Sequence, residues 1–418
     1  MNHEHNWSNS YTYHAARIHS PESIDEIRRL VAGSAKIHAL GTRHSFNGVA
    51  DTAGDLVDLR ALRSDPVVDA KRQTVTVAAG TPYGQLARFL QSQGLALHNL
   101  GSLPHISVAG AISTGTHGSG DKNGSLSSAV AALELVTSSG DLLKIRRGDA
   151  GFDGMVVGLG AFGIITHVTL DVRPSFDVRQ DGFVDLQWSS VLSNLDEIMS
   201  AAYSVSIMTH WSGITVGRLW LKTRLPGKAV QDVAISHLGV KAAQNASATG
   251  ENDALEGLTE FGVPGPWSER LCHFRPDCEP GITEQIQSEY MVPRRQAVTA
   301  LARLRAIAER IDQHLLLTEI RSVAADDLWL SSSYGQDMLA LHFTWKQEPA
   351  PVHAITAEIE EMLLPLGARP HWGKIIHSPA SRLAQVYPRL ADFQALAAQY
   401  DPAGKFRNAF LDYHILAP

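Results

Sequence analysis

Cysteine is nearly absent from this chain, since its 418 residues include only Cys272 and Cys278. A disulfide-stapled scaffold is therefore excluded, because such folds need several cysteine pairs. The two residues flank a short segment that contains His273, and their spacing matches no standard zinc pattern. We expect two free thiols with a structural role, no metal site and a cytoplasmic protein.

Long apolar runs and dense basic runs are also lacking. Apolar stretches such as residues 130–133 fall far short of the ~20 residues that cross a bilayer, and residues 1–7 lack the apolar segment of a secretory signal. Charged residues make up only 19% of the chain, its formal net charge is −7 and its isoelectric point is near 6.2. This balance argues against nucleic acid as a partner. We expect a monomer with a small-molecule substrate and no membrane or nucleic-acid partner.

The chain does contain a turn with a candidate nucleophile, residues 41–47, Gly-Thr-Arg-His-Ser-Phe-Asn. It follows an apolar stretch, residues 37–40, that is typical of a short buried strand. Gly41 would let the backbone turn sharply and lie close to a flat ligand. His44 is the kind of nucleophile that bonds to the 8α-methyl group of a flavin ring. Taken singly, such a histidine is more often a solvated or core residue, so the interpretation depends on a second motif.

The second motif is a segment rich in small residues, 101–120, Gly-Ser-Leu-Pro-His-Ile-Ser-Val-Ala-Gly-Ala-Ile-Ser-Thr-Gly-Thr-His-Gly-Ser-Gly. Backbone N–H groups and hydroxyls that are free of bulky neighbours can hold a pyrophosphate. The alternative is a flexible linker, in which the interleaved Leu103, Ile106, Val108 and Ile112 would be poorly placed. The pattern favours a pyrophosphate cradle at residues 101–120 (the cradle).

Local sequence patterns predict the first helices and strands of the chain. Residues 20–23, Ser-Pro-Glu-Ser, predict a helix start with Ser20 as N-cap and proline in the first turn, followed by an amphipathic helix. Thr81 and Pro82 predict a second helix in the same way. Residues 74–77 alternate as in a strand, and residues 133–145 predict a hairpin around Ser-Ser-Gly-Asp.

Residues 158–163 satisfy the G-x-G-x-x-G pattern, yet they do not predict a dinucleotide-binding Rossmann unit. That unit needs a helix after the glycines. Residues 164–170 instead alternate with β-branched residues, as in a strand. We expect no nicotinamide site there.

The composition changes after Pro174. From there to about Pro370 the chain mixes strand-like stretches, such as residues 214–220, with helix-like ones, such as residues 294–309. This pattern predicts a separate domain.

Two strand-like segments of that domain carry polar pairs. Glu319 and Arg321 stand two apart and would share one face of a strand; they could bind hydroxyls and stabilise an alkoxide, or form a plain surface ion pair. His342 and Thr344 repeat the pattern, with Phe343 on the opposite face. A pocket wall backed by core, or simply a buried histidine, would explain it.

Together, the turn and the cradle resemble segments of the vanillyl-alcohol-oxidase type of flavoproteins, also called the p-cresol methylhydroxylase (PCMH) type. Further segments narrow the resemblance to the branch that oxidises alditols: residues 318–321, 341–345, 369–374 and 401–408. The resemblance runs from about Tyr11 to Phe410 and is weakest between about Lys222 and Leu258.

The resemblance implies an α+β fold, a two-domain flavoprotein with a PCMH-type FAD-binding domain and a mixed α/β substrate (cap) domain. Residues 1–175 would form the FAD-binding domain, residues 176–372 the cap domain, and residues 373–418 would return to the FAD-binding domain. FAD would be attached covalently through His44. A cysteine that forms a second flavin bond in some relatives is missing from the cradle, so we expect one covalent bond only.

The resemblance also assigns roles to residues. The catalytic ones would be Arg321, Glu319, Lys374 and His342, and the substrate would touch Ser102, Glu319, Arg321, Thr344 and Lys374. FAD would be held by Ala39, Leu40, Gly41, Thr42, Arg43, His44, Ser45, Ser102, Ser107, Gly110, Thr114, Gly115, Thr116, His117, Ile165 and His371. Gly101 would lie against the flavin edge where dioxygen approaches, and a glycine leaves the most room there.

The activity implied is oxidation of the terminal primary alcohol of alditols such as xylitol and sorbitol, with dioxygen reduced to hydrogen peroxide. Aldonolactone oxidases or dehydrogenases, of the gulonolactone or galactonolactone kind, share much of the pattern and are the alternative. A binding protein derived from an oxidase that has lost its flavin is a third hypothesis. The intact cradle, His44 and Lys374 speak against it.

Overall fold

The computed structural model of the protein describes residues 4–226, 234–243, 258–275 and 284–416. Cys278, predicted to be a free thiol, lies outside these ranges. Cys272 is a free, fully buried thiol, as predicted. Burial raises the pKa of this thiol to about 12, so it stays protonated and unreactive at neutral pH.

The N-terminal part of the chain forms a parallel sheet, in the order β1-β3-β2, and an antiparallel sheet, in the order β4-β5-β9-β7-β8. The strands are β1 (Arg17–His19), β2 (Ile37–Leu40), β3 (Asp55–Asp58), β4 (Val67–Asp69), β5 (Thr74–Ala78), β6 (Leu95–Ala96), β7 (Val130–Val136), β8 (Leu142–Arg146), β9 (Ile164–Asp171) and β10 (Arg173–Pro174). The helices are α1 (Ile24–Gly33), α2 (Tyr83–Ser92), α3 (Val108–Ser113) and α4 (Phe152–Val156). Strand β10 pairs with β6.

Helix α1 begins later than predicted. Its N-cap is Ser23, not Ser20, and the Ser23 side chain accepts a hydrogen bond from the backbone N–H of Glu26. The Glu26 carboxylate accepts one from the N–H of Glu22 at 2.7 Å. This arrangement resembles a capping box, which satisfies more free N–H groups than a proline start can.

The start of helix α2 was also predicted one position too early. Pro82 is its N-cap, and no side chain caps the helix. The N–H of Tyr83 donates to the carbonyl of Ile106, and the N–H of Gly84 donates to that of Pro104. The cradle backbone therefore does the work expected of Thr81, which a local pattern cannot reveal.

The strand predictions for this part are confirmed. Residues 74–77 lie in β5, and β7 and β8 form the predicted antiparallel hairpin. The glycines at 158–163 lead directly into strand β9 and not into a helix. They form the turn that joins helix α4 to strand β9, and not a Rossmann turn.

The second half of the chain builds one large sheet, in the order β14-β11-β13-β12-β17-β18-β16-β19, with β15 paired to β11. The strands are β11 (Asp177–Val184), β12 (Ser204–Thr209), β13 (Arg218–Leu225), β14 (Lys241–Ala242), β15 (Gly265–Pro266), β16 (Gln285–Pro293), β17 (Leu315–Val323), β18 (Met338–Lys346) and β19 (Arg369–Pro370). The helices are α5 (Trp188–Ser193), α6 (Leu195–Ser200), α7 (Trp267–Arg270), α8 (Ala297–Arg305), α9 (Ala308–His314), α10 (Pro349–Leu363), α11 (Ala380–Leu383), α12 (Leu390–Tyr400) and α13 (Ala409–Leu411). Short 3₁₀ turns occupy Gly48–Ala50, Leu59–Ala61, Leu126–Ala129, Ala234–Leu238, Arg294–Gln296 and Leu364–Leu366, and a π turn occupies Asp412–Leu416.

Two predictions in this half need correction. The strand predicted at residues 214–220 begins only at Arg218, because residues 214–216 bond instead to the 186–188 segment. The helix predicted at residues 294–309 is broken: α8 ends at Arg305 and α9 begins at Ala308. Ile307, at the break, has φ −116° and ψ 18°, outside the helical region.

The chain has two main hydrophobic cores. One is built mostly by residues 27–178 and 372–415, and it also takes in Trp267, Leu271, Cys272, Leu328 and Leu330. The other is built by residues 186–375 under the large sheet. This α+β, two-domain arrangement is the predicted fold class, and we propose that the predicted domain bounds follow the division between the cores.

No helix in the described part of the chain is both long enough and apolar enough to cross a membrane.

Candidate active site

A cavity of about 770 Å³ lies between the turn, the cradle and one face of the large sheet. That volume is at the upper end for ligand sites, which suits an elongated ligand together with a small second one. Residues from both halves of the chain therefore line this cavity.

The turn at residues 41–47 is held rigidly. Arg43 has a φ of +63°, a left-handed conformation that costs a non-glycine residue about 1–2 kcal/mol. Its carbonyl accepts a hydrogen bond from the Trp7 N–H at 2.9 Å, and its guanidinium contacts Glu4 and lies 3.5 Å from Asp58. The sharp backbone bend thus falls on Arg43, where the sequence had suggested Gly41.

Gly41 serves a close approach instead of a bend. A Cβ atom at Gly41 would lie 2.7 Å from the Ser107 hydroxyl oxygen, and one at Gly110 would lie 2.9 Å from the same atom. The Thr42 hydroxyl oxygen accepts a bond from the Ser107 N–H at 3.1 Å. Turn and cradle are therefore joined with no room for larger side chains.

His44 is half-buried, and its Nε2 atom is shielded from solvent but has no hydrogen-bond partner. Its Nδ1 lies 3.2 Å from the Thr42 hydroxyl, and its ring stacks on Trp7 with centroids 5.3 Å apart. Burial lowers the pKa of His44 to about 4, so the imidazole is neutral at pH 7. A neutral ring with an unengaged nitrogen fits covalent bond formation to a ligand.

The cradle contains one element that the sequence did not predict, the short helix α3. Val108 and Ile112 are fully buried in it, which agrees with the argument against a flexible linker. Ser102, at the start of the cradle, is fixed from outside: its carbonyl accepts hydrogen bonds from the N–H groups of His273 and Phe274, at 3.2 and 3.3 Å.

The wall opposite the cradle is a row of residues that crosses four strands of the large sheet and is polar on three of them. Met208 on β12 is paired with Glu319 on β17, Glu319 with His342 on β18, and His342 with Glu289 on β16. Thr344 and Gln287 form the next pair along the same face. Alternation within each strand puts these side chains on one face.

The other face of the sheet belongs to the second core. Phe343 and Trp345 are fully buried there and stack with centroids 5.1 Å apart. Burial of side chains this large contributes about 1.5–3 kcal/mol each. The aromatic layer predicted behind His342 and Thr344 is thus present and fixes the polar wall in place.

Glu289 is the centre of charge in this wall, with 1% of its surface exposed. One carboxylate oxygen lies 3.1 Å from His117 Nε2 and 3.3 Å from an Arg321 guanidinium nitrogen. The other lies 2.7 Å from Lys374 Nζ and 3.3 Å from His342 Nδ1. Although burial alone would raise its pKa, the Lys374 ammonium and the neighbouring histidines hold the pKa of Glu289 well below its usual value.

Glu319 and Arg321 lie on one face of β17, as their spacing predicted, and both line the cavity. Arg321 donates to the Ser102 hydroxyl oxygen at 3.1 Å, and its Nε lies 3.7 Å from Glu319. The other Glu319 oxygen contacts His273 Nε2. Burial opposes the charge of Glu319, but Arg321 and His273 lower the pKa of this carboxyl below its usual value, so it is ionised.

Lys374 and the histidines complete the wall. Burial lowers the pKa of Lys374, and Glu289 counteracts that shift. Burial and the nearby Lys374 charge lower the pKa of His342 to about 4, and burial also lowers that of His371. His342 and His371 are therefore neutral at pH 7, and the fixed charges are Arg321 and Lys374 against Glu289 and Glu319.

Hydrogen bonds tie this wall to the turn. The Phe46 N–H donates to the Gly373 carbonyl at 2.7 Å, and the Asn47 amide donates to the carbonyls of Trp372 and Lys374 at 2.8 and 2.6 Å. The candidate attachment point and the candidate catalytic cation thus keep a fixed relative position.

The cavity brings together all the predicted site residues except Gly115, which does not line it. Gly115 has a φ of +68° and serves the backbone of the cradle. Sequence reasoning missed other residues that line the cavity: Trp7, Tyr13, His38, Trp220, His273, Gln285, Gln287 and Glu289. The alternation of polar residues at 285, 287 and 289, the signal that identified Glu319 and Arg321, could have found the last three.

Comparison with known proteins supplies the family. The profile of the FAD binding domain family matches residues 15–146, and that of the D-arabinono-1,4-lactone oxidase family matches residues 277–414. The alditol oxidase of a Streptomyces species is 41% identical over 416 residues, covering 97% of both chains. The chain belongs to the alditol oxidase family. This family is of the vanillyl-alcohol-oxidase type, so the predicted resemblance is confirmed.

Other relatives act on lactones by name. The L-gulonolactone oxidase of Scyliorhinus torazame is 26% identical and the L-gulono-1,4-lactone dehydrogenase of Mycobacterium tuberculosis is 28% identical, each over 97% of both chains. Among solved structures, cholesterol oxidase from B. sterolicum superposes with a TM-score of 0.78 at 17% identity, over 100% of this chain and 96% of that one. That likeness concerns the fold alone.

The protein is thus an FAD-dependent oxidase of CH–OH groups, as predicted at this level. The residues present fit the cofactor: the unpartnered His44 nitrogen, the glycines that a Cβ would fill, and a cradle of hydroxyls and N–H groups. Within the described ranges, no group of three or more histidine, cysteine or acidic side chains is placed to hold a metal ion.

Proposed function

We propose that the protein oxidises the terminal primary alcohol of alditols such as xylitol and sorbitol to the aldose and reduces dioxygen to hydrogen peroxide. The reaction is balanced as R–CH₂OH + O₂ → R–CHO + H₂O₂. The observation that carries the proposal is the largely buried polar wall formed by Glu319, Arg321 and Lys374, which lines one cavity together with the turn that carries His44.

Bound FAD would supply the acceptor for the hydride that leaves the alcohol carbon. The chain's own residues would bind the alcohol, orient it and stabilise charge on its oxygen. The cations of the wall are Arg321, which is buried, and Lys374, whose side chain is 13% exposed. A hydroxyl placed between them would lose its proton more easily as the alkoxide is stabilised.

The two carboxylates would not act as strong bases, since the pKa of each is lowered. Glu319 would accept hydrogen bonds from the hydroxyls of the polyol. Ser102 would bind next to Arg321, which already donates to it. Neutral His342 contacts Lys374 and lies 3.2 Å from the Thr344 hydroxyl, so it would orient both without adding a charge.

The cofactor itself would be held by the turn, the cradle, Ile165 and His371, and bonded through His44. Support for the covalent bond comes from the neutral imidazole of His44, from its shielded and unengaged Nε2 atom, and from the strained backbone of the neighbouring Arg43. Tyr13 and His38 line the same cavity, and each has a buried polar atom without a partner. We add both to the candidate cofactor contacts.

The alternative function is oxidation of an aldonolactone. One observation favours it: the lactone oxidase profile matches residues 277–414, which include β16, β17, β18 and Lys374. The two substrates differ in shape, because an alditol is an open chain with a primary alcohol and a lactone is a ring. The polar pairs on the wall would serve either one.

The experiment is a substrate panel on purified, yellow protein, with peroxide and aldehyde measured together. We expect xylitol and sorbitol to give one peroxide per aldehyde. If peroxide forms with lactones and not with xylitol or sorbitol, the alternative function is the correct one. A colourless preparation without peroxide from any substrate would identify a binding protein.

A further inference from the structure

We propose that Glu289 is a positioning residue that keeps Lys374 protonated and holds Arg321 in place for the oxidation. This inference rests on the proposed function. Glu289 does not need to touch the substrate, because it would act through the two cations that do.

The geometry of Glu289 is unusual for a plain ion pair. Four nitrogen-bearing side chains from four separate segments converge on one carboxylate: His117 from the cradle, Arg321 from β17, His342 from β18 and Lys374 from the loop after β19. The contacts are divided evenly, two to each oxygen, at 2.7–3.3 Å. A single substitution would therefore change the surroundings of both cations at once.

The charge balance shows what Glu289 contributes. With it, the two cations Arg321 and Lys374 face two buried carboxylates. Without it, Lys374 would keep only a contact with neutral His342, since Glu319 is engaged by Arg321 and His273. A buried ammonium without a counter-charge releases its proton. A neutral amine would no longer stabilise an alkoxide.

Other charged or titratable groups face Lys374 and Glu289 from the surrounding elements and also affect the charge of this pair. They are His117, Glu319, Arg321, His342 and His371. Among these, Arg321 and Glu319 carry opposite charges, and His342 and His371 are neutral at pH 7. Lys374 makes the shortest of the four contacts with Glu289, at 2.7 Å, and it is the group through which Glu289 would act at alkaline pH.

The test is the pH profile of xylitol oxidation by Glu289→Gln, a substitution of the same shape without the charge. Removing an opposite charge at this distance should move the alkaline limb of kcat to lower pH by roughly 1–3 units. The loss of activity should be large at pH 8–9 and should shrink towards pH 6, where Lys374 is protonated again. Glu289→Asp, which keeps the charge, should leave the limb near its wild-type position.

Glu360→Gln is the matched control. Glu360 is a second buried carboxylate, 2% exposed, whose oxygens accept from the N–H groups of His377 and Ser378 outside the cavity. Its loss should leave the alkaline limb in place. If Glu289→Gln shows an equal loss of kcat at every pH, the carboxylate is only a structural contact and the proposal is wrong.

A second measurement, the melting temperature as a function of pH, needs no substrate. It tests the proposal even if the wild-type protein does not oxidise xylitol or the variant is too unstable for a kinetic assay. In Glu289→Gln, Lys374 is unprotonated when folded but protonated when unfolded, so the unfolded state binds more protons and stability rises with pH. The melting temperature of the variant should approach the wild-type value between pH 7 and 10. Adding Lys374→Met should remove that slope. If the difference in melting temperature between wild type and Glu289→Gln is the same at every pH from 7 to 10, the proposal is wrong. This outcome does not depend on any substrate.

Discussion

Replacing Arg321 by alanine should slow alcohol oxidation by ~100-fold, because a charge aimed at the reacting oxygen in a dry site is worth about 3 kcal/mol. Arg321 is 5% exposed, donates to the Ser102 hydroxyl at 3.1 Å and lies 3.3 Å from Glu289. Its removal would also leave Glu289 and Glu319 opposite Lys374 alone. Both effects oppose negative charge on the substrate oxygen.

The assay is the rate at which xylitol bleaches the yellow colour of the protein without oxygen, measured by stopped flow. Cofactor content, read from the absorbance of denatured protein, should stay at the wild-type level, because Arg321 lies on the wall and not in the cradle. Arg321→Lys should recover part of the rate, since it keeps the charge but not the planar fork.

Arg305→Ala controls for the loss of a guanidinium elsewhere. Arg305 lies on α8 and donates to the Gly213 carbonyl at 2.8 Å, outside the cavity. It should bleach at the wild-type rate. Bleaching of the Arg321→Ala protein at close to that rate would remove Arg321 from the mechanism.

Three further substitutions test separate parts of the account. His44→Ala should release FAD into the supernatant on acid precipitation, whereas wild-type protein should precipitate yellow; free FAD from the wild type would disprove the covalent bond. Gly101→Val should slow turnover with dioxygen, because the larger side chain would narrow the approach to the flavin edge, but should spare turnover with an artificial dye. The fold should accept the substitution, since a Cβ at this position meets Ile106 at an ordinary 3.5 Å. An unchanged rate with dioxygen would show that Gly101 does not control its access. Lys222→Met should lower the free energy of unfolding by about 3 kcal/mol, because the buried ammonium donates to three consecutive carbonyls, those of residues 270–272, at 2.6–2.8 Å; a loss below about 1 kcal/mol in a denaturant titration would contradict this.

The parts of the site that could be predicted are those encoded by local patterns. Glu319 with Arg321, and His342 with Thr344, alternate along strands, so their shared face follows from the sequence alone. The cradle is a single segment whose small residues and buried apolar side chains both leave a signal. The resemblance to a known family then predicted that these separate segments form one site.

The parts that could not be predicted depend on long-range contacts. Glu289 has its role only because four segments that are distant in sequence meet at its carboxylate. The strained backbone at Arg43 is held by Trp7 and Glu4, which no local rule connects to it. The start of helix α2 was misplaced for the same reason, since backbone carbonyls of the cradle took over its capping.

The most direct test of the central claim compares xylitol with L-gulono-1,4-lactone on one preparation of the purified yellow protein, with peroxide release measured over a range of concentrations. The account predicts a kcat/KM at least ~10-fold higher for xylitol, which corresponds to about 1.4 kcal/mol in the free energy of the transition state. A higher kcat/KM for the lactone, or no peroxide from xylitol, would contradict it.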